Sequence, residues 1–468
     1  MRAVLSVIIV LSGLGAPAPA AAHPAVVARP GFSVPREVAA NIRPYNGGML
    51  MPRRPVGVVD GTGVRMYRHP VITRNQLRNH PVAQAQYGLK LLNTYRVGHD
   101  AWFLTMAERQ AQRLVDTHVE SRNAWWFPYP FDFPLGSNMR LTLNQPWYSA
   151  MAQGQALSLF IRLAQATGDS SWRVAADRTF ESLRLGFSAA GPWATHRDGN
   201  NQLWLEEYPA RTPTQSGRVL NGHMFAMYGL WDYWFVTRSS NAAALFDAAG
   251  ATVRRYVLRN FRNTGWASSY ALRGLAPAEG YHNTHVDQLL HMHALSGDPT
   301  FSAMAEVLQQ DFSVPAQRAP VLLVAAQHTG VRFAGTTSGQ VTGRKLIALR
   351  ASAFVSIDQR RRIGNQPGYW YHVTSGSLRG FWVQEVAGVR ATIAPVSLVH
   401  YLAPRAVRME AGAHQVCTAS GCSLARLTAR SSAPIGSIGW IRGRRAVLIS
   451  GGPLRNWWLP MTARTRTA

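Results

Sequence analysis

The residues of this chain best suited to chemistry fall into collinear short stretches. Residues 147–156 read WYSAMAQGQA, 205–209 LEEYP and 219–222 VLNG, and YALR at 270–273 is followed by YHNTH at 281–285. Together they supply the adjacent carboxylates Glu206 and Glu207, phenols at Tyr148, Tyr208, Tyr270 and Tyr281, and a guanidinium at Arg273. They add imidazoles at His282 and His285 and the neutral polar side chains Gln153, Gln155 and Asn221. A glutamate is ionised at neutral pH and can accept a proton, whereas a phenol with its ordinary pKa of ~10 is a poor base unless a nearby cation favours the phenolate. Arg can grip a carboxylate through two parallel hydrogen bonds. His282 and His285 lie three apart and share a helix face, as metal ligands do. The motif holds no acidic or cysteine third ligand, so hydrogen bonding to a substrate or structural capping fits better than metal. Glu206 and Glu207 read either as functional acids or as a solvated pair at a helix end. Gln153, Gln155 and Asn221 interrupt apolar helical sequence, which describes either an inward polar cleft or buried hydrogen-bonded positions.

In this order, these stretches resemble the motifs of the D-glucuronyl C5-epimerases. The resemblance covers residues 80–312 and includes QYGL at 86–89. It implies an α/α-toroid catalytic domain and, as activity, C5 epimerisation of D-glucuronate to L-iduronate in an acidic polysaccharide. It maps acid/base roles onto Glu207, Tyr270 and Tyr281 and the family's arginine onto Arg273. Tyr208, His282, Tyr148, Gln153 and Asn221 become the expected substrate contacts. The hydrogen at C5 lies α to the uronate carboxylate, so its removal builds an enolate-like dianion unless the carboxylate charge is neutralised. Inversion then needs one group to take a proton from one ring face and another to return a proton to the opposite face, without metal or redox cofactor. Two positions depart from the family pattern: Ala271 stands where the family has Asp in YDLR, and Gly280 where Asp commonly precedes the tyrosine. The family's large β-rich region has no room ahead of the helices. Two rival functions remain: a polysaccharide lyase acting through the same C5 carbanion, and a catalytically silent surface protein that binds acidic glycans.

Helical hairpins are expected to position these residues. Met151, Leu157, Phe160, Ile161 and Ala164 fall on one helical face, as do Met224, Met227, Tyr228, Trp231, Trp234 and Phe235, a periodicity that predicts two amphipathic helices. A turn signature recurs as Gly98, Asp100, Trp102; Gly168, Asp169, Trp172; and Gly297, Asp298, Phe301. In each, Gly can end one helix in a left-handed conformation and Asp can cap the next. The helical domain is placed at residues 80–316.

From about residue 320, short runs rich in Val, Ile, Thr and Trp between Gly and Ser clusters predict strands. Residues 378–383 align with 454–459 and 331–333 with 407–409, both at an offset of 76. Two β modules, SH3-like or GW-like, are therefore expected at 331–385 and 407–461. Cys417 and Cys422, the only cysteines, should form a local disulfide in an exported protein. Export is read from Arg2, the apolar run 3–14 and the Ala20, Ala21, Ala22 cleavage pattern, which make residues 1–22 a signal peptide, with no transmembrane anchor once it is removed. Residues 23–79 form a Pro-rich basic arm.

The chain of 468 residues carries 49 Lys and Arg against 23 Asp and Glu, a formal charge of +26, and all its basic residues except Lys90 and Lys345 are Arg. This favours a polyanionic partner such as an acidic cell-wall or capsular polymer, or else reflects a genome rich in Arg codons with the charge simply solvated. No zinc-finger, RNP or helix-turn-helix pattern points to nucleic acid.

Overall fold

A computed structural model describes residues 42–136, 139–264, 267–312, 320–391, 399–418, 421–441 and 444–467, with a short antiparallel pair β1 (Ala28–Arg29) and β2 (Phe32–Ser33). The expected signal peptide lies outside the described residues. The described chain divides into two compact units, one from Pro24–Phe261 and Ser269–Tyr281, the other from Arg262–Ser268 and His282–Ala468.

The first unit contains helices α1 (Pro81–Gly98), α2 (Ala101–Thr117), α3 (Ala150–Thr167), α4 (Ser170–Arg184), α5 (Leu220–Thr237) and α6 (Ser240–Tyr256). They pair as three successive hairpins, α1 with α2, α3 with α4 and α5 with α6, and α3 packs against both α1 and α5. Between them lie the two-stranded ribbons β3 (Val119–Ser121) with β4 (Ala124–Trp126), β5 (Phe133–Leu135) with β6 (Leu141–Leu143), and β7 (Thr195–Arg197) with β8 (Leu203–Leu205). Asp100, Asp169 and Asp298 each accept a backbone N–H as N-caps, and Gly168 and Gly297 take the left-handed conformation (φ 74° each). At the first turn His99 rather than Gly98 is left-handed (φ 53°). A further turn of the same kind, unmarked by Gly or Asp, uses Arg238 (φ 58°) and the N-cap Ser239.

The expected amphipathicity of α3 and α5 is replaced by burial along nearly their whole length, because both are flanked on several sides. Their backbones approach through small residues. A Cβ on Gly229 would lie 2.1 Å from the carbonyl oxygen of Gly154, and one on Gly154 2.5 Å from Cα of Ala226, so an alanine at either position forces the helices apart. One ion cluster is enclosed here: Asp232 meets Arg162 at 2.9 Å and Arg43 at 2.7 Å.

Among the described residues the second unit contains α7 (Glu279–Ser296) from His282 onward, α8 (Pro299–Asp311) and fourteen strands. The first seven are β9 (Pro320–Leu323), β10 (Gln327–Phe333), β11 (Val341–Ala348), β12 (Ala353–Arg361), β13 (Trp370–Val373), β14 (Trp382–Gln384) and β15 (Val389–Ala391). The second seven are β16 (Val399–Met409), β17 (Gly412–Cys417), β18 (Cys422–Leu427), β19 (Ser431–Ile441), β20 (Arg444–Ile449), β21 (Trp458–Pro460) and β22 (Thr465–Thr467). The sheet orders are β11-β10-β14-β13-β12-β9-β15 and β18-β17-β21-β20-β19-β16-β22, one topology used twice. The repeated order reaches beyond residues 331–385 and 407–461, and its alignment differs in part from the constant offset of 76.

Each module gains a strand at both ends, since β15 pairs with β9 and β22 with β16. Trp382 and Trp458 do correspond, yet Trp382 sits opposite Val331 and Trp458 opposite Cys417. Val331 therefore matches Cys417, not Val407. The imidazoles of His328 and His414 confirm the second offset, each bonding the carbonyl four residues earlier, of Val324 and Glu410. Cys417 and Cys422 form a disulfide across the β17–β18 hairpin.

Helix α8 belongs with this unit. Its buried Glu306 meets Arg445 at 2.5 Å and also contacts Arg405 and Tyr401. The boundary expected near residue 316 lies outside the described residues, and α8 before it and the strands after it fall in the same unit.

Candidate functional site

Glu206 and Glu207 follow β8, and backbone bonds gather the other motifs around them. The amide of Glu206 donates to the Ala194 carbonyl (2.7 Å), and its own carbonyl accepts from Ala150 at the start of α3 (2.7 Å). One oxygen of its carboxyl group accepts from the amide of Arg218 (3.0 Å). Residues 217–220 run antiparallel to 270–273: Leu220 donates to Tyr270 (3.1 Å), Leu272 to Arg218 (3.3 Å) and Arg273 to Gly217 (3.1 Å). Behind β8, the Leu205 amide donates to Nδ1 of His223 on α5, whose Nε2 donates to the Ala249 carbonyl. Burial holds His223 down to about 4, so it is the neutral tautomer that these two partners require.

The motifs meet at Glu207, whose side chain is buried. The Tyr270 hydroxyl lies 3.4 and 3.5 Å from its two oxygens and 3.3 Å from the hydroxyl of Tyr208. Tyr281, in the first turn of α7, sets its ring 4.6 Å from that of Tyr270 and is 45% exposed, so a ligand can reach it. Gly222 in VLNG makes room for the acid: a Cβ there would lie 2.2 Å from a Glu207 carboxylate oxygen and 2.5 Å from its Cβ. Burial pushes Glu207 up to about 7, against hydrogen bonds from Tyr208 and Tyr270 that favour its carboxylate. Burial and the Glu207 charge both raise Tyr270 and Tyr281, and Tyr208 rises well above its ordinary range for the same reasons. The phenols are therefore neutral proton donors at ordinary pH, and Glu207 is the group poised to change charge near neutrality.

Arg273 anchors its guanidinium by donating from Nε to the Met139 carbonyl (2.9 Å). Tyr208 borders an aromatic cluster, 6.0 Å from Trp147 and 5.9 Å from Phe133, with Trp147 stacked on Tyr129 at 3.7 Å. Tyr148 is half-buried, edge-on to Trp126. Asn221 is buried in the first turn of α5 beside Gly222.

Two expected substrate contacts have other work. Gln153 is fully buried and spent on the backbone and Ser182: its Nε2 donates to the Trp125 carbonyl and Ser182 Oγ (2.7 Å each), and its Oε1 accepts from Phe127. His282 is fully buried in the second unit, with Nδ1 accepting from Ser268 (2.9 Å) and Nε2 donating to the Leu308 carbonyl (3.1 Å). Both are structural clamps. His285 is buried too, 2.8 Å from Ser268 Oγ. Among the described residues no group of three or more His, Cys, Asp or Glu side chains is arranged to hold a metal ion, and no helix is long and apolar enough to cross a membrane.

Residues 120–310 match the family profile described as D-glucuronyl C5-epimerase C-terminus. A D-glucuronyl C5-epimerase of Caenorhabditis elegans is 26% identical over 186 residues, 36% of this chain and 29% of the relative. The match thus spans less than a third of the worm protein. Among solved structures, a cellobiose 2-epimerase from Bacillus thermoamylovorans aligns with a TM-score of 0.38 at 11% identity, over 49% of this chain and 59% of the other. A sugar epimerase from a ruminal bacterium aligns at 0.37 and 13% identity, over 50% and 59%.

Proposed function

We propose that this chain, whose residues 120–310 belong to the D-glucuronyl C5-epimerase family, converts D-glucuronate to L-iduronate within an acidic polysaccharide. The observation that carries the reading is a buried carboxylate poised near neutrality whose hydrogen-bonded neighbours, among the described residues, are phenols. Ionised Glu207 takes the C5 proton, and the electron pair left on carbon delocalises into the uronate carboxylate, whose charge Arg273 offsets. The Tyr270 hydroxyl already bonds Glu207, so it shares that side of the ring. Tyr281, exposed and protonated, is the group left to return a proton to the opposite face. Its phenolate and the protonated Glu207 then reset by exchange with solvent. Tyr208 and Tyr148 line the sugar site, with Asn221 close by. The three helical hairpins fit the family's α/α toroid.

The protein is read as exported, on the pattern of residues 1–22, with its β modules attached to anionic wall or capsular polymer. Exposed Arg344 and Lys345 on the edge strand β11, and Arg332 lying 4.4 Å over Phe381, support that attachment. Salt-sensitive retention of the protein on an acidic glycan column tests it.

The reaction is tested by incubating the protein with glucuronate-containing polymers in heavy water and following NMR. Deuterium at C5 with iduronate signals supports epimerisation. Ultraviolet-absorbing unsaturated ends with chain shortening replace it by lyase chemistry, and binding without exchange replaces it by a silent glycan-binding protein.

A further inference from the structure

We propose that Glu206, which takes no part in the scheme above, is a positioning residue: its buried carboxyl group fixes the strand pair carrying Tyr270 and so places the Tyr270 hydroxyl against Glu207. The inference rests on the reading of Glu207 and Tyr270 as reacting groups.

Glu206 is fully buried. Its carboxyl oxygen receives the amide of Arg218 (3.0 Å), a residue held at φ 53°. That left-handed conformation is unfavourable for any side chain with a Cβ and persists only where the surroundings impose it. Immediately around it, the carbonyls of Gly217 and Arg218 accept from Arg273 and Leu272, and the Leu220 amide reaches the Tyr270 carbonyl. The Glu206 carboxyl thus secures the turn on which the YALR segment is hung. Both ends of that segment matter, since Tyr270 faces Glu207 and Arg273 is the carboxylate clamp of the proposed reaction.

The other carboxyl oxygen lies 3.5 Å from Nδ1 of His196, which is equally enclosed. Burial pushes Glu206 up to about 8, with Glu207 adding to the rise and the Arg218 amide and guanidinium opposing it. Burial, with Arg218, holds His196 down to about 4. Between about pH 4 and pH 8 the pair is therefore uncharged, an acid hydroxyl facing an imidazole. Glutamine reproduces that arrangement, with an oxygen for Arg218 and an N–H toward His196. Alanine removes both.

The test compares wild type, Glu206→Gln, Glu206→Ala and Glu207→Gln by C5 exchange kinetics and by amide hydrogen exchange over residues 217–220 and 270–273. Glu206→Gln is expected to keep kcat, KM and amide protection. Glu206→Ala should lose protection in both segments and ~10²-fold in kcat with little change in KM, the scale expected when a reacting group is displaced by about an ångström. Its acid limb should also move to higher pH, because Glu207 loses the Tyr270 hydrogen bond that favours its carboxylate. A folded Glu206→Ala protein with wild-type protection and kcat overturns the proposal. So does a Glu206→Gln protein as impaired as Glu206→Ala, which would give the acid's ionisation a chemical role. If wild type exchanges no C5 hydrogen, the underlying reading fails instead, and amide protection still decides whether Glu206 holds the strands.

Discussion

The carboxylates enclosed in the second unit and the one at the candidate site of the first are treated in opposite ways. In the second unit Glu306 meets Arg405 and Arg445, and Glu385 meets Arg360 at 2.7 Å, with the guanidinium 3.7 Å over Tyr369. Asp232 in the first unit follows the same rule with Arg162 and Arg43, and those charges hold its carboxyl below the ordinary range despite burial. Glu207 does not follow it. Its hydrogen-bonded neighbours are phenols, and its pKa rises. An enclosed acid that stays charged for a structural task is paired with a cation, because a lone buried charge is strongly destabilising, whereas Glu206 does its positioning while protonated. An acid left to neutral donors sacrifices stability and keeps a proton affinity near the ambient pH, which is what proton transfer from carbon requires.

The largest expected effect comes from removing the unpaired acid. Glu207→Gln should lower C5 exchange by ~10²- to 10⁴-fold while leaving the protein folded, as measured by NMR of deuterium incorporation alongside circular dichroism. Retained exchange would place Glu207 with the structural acids. Its counterpart in the other unit is Glu306→Ala, which removes the buried carboxylate that Arg405 and Arg445 share. This should cost ~3–5 kcal/mol in unfolding free energy, and a denaturation midpoint equal to wild type would contradict it. Gly222→Ala should reduce exchange by ~10²-fold by driving the Glu207 side chain off its phenols, with little change in polymer affinity by calorimetry.

The smallest effect is on pH-dependent stability. Glu206 is raised to about 8 from an ordinary 4.5, so the folded state binds more protons than the unfolded between those values. Its contribution is fully present below about pH 4.5 and is lost as pH rises through about 8. Glu206→Gln should therefore flatten the alkaline fall in melting temperature between pH 5 and 9. An unchanged slope would show that the acid ionises freely in the fold.

Much of this was legible in the sequence where one residue type has one physical use. Asp after a helix end reads as a cap, and Asp100, Asp169 and Asp298 are caps. The turn at Arg238 carries no such signal, because nothing about Arg announces a left-handed backbone. The motifs that carry Glu207, Tyr208 and Tyr270 lie side by side in the fold. A polar residue in an apolar helix looks the same in sequence whether it faces a ligand or a carbonyl, and Gln153 and His282 bond the backbone of Trp125, Phe127 and Leu308. Gly222, His223 and Glu206 act through distances to residues far along the chain, for which sequence gives no measure. In the β region, the offset found at Trp382 and Trp458 did not extend to Val331, since the stretch between the paired strands is shorter in the second copy.

The most direct test of the unpaired-acid account is the pH profile of C5 deuterium exchange by the wild-type protein. Exchange should be low at pH 5, rise with a single ionisation near pH 7 as Glu207 loses its proton, and stay high until the phenols ionise. A profile already flat from pH 5 upward would mean that the base has an ordinary carboxylate pKa, and would contradict the assignment of the buried Glu207 to that role.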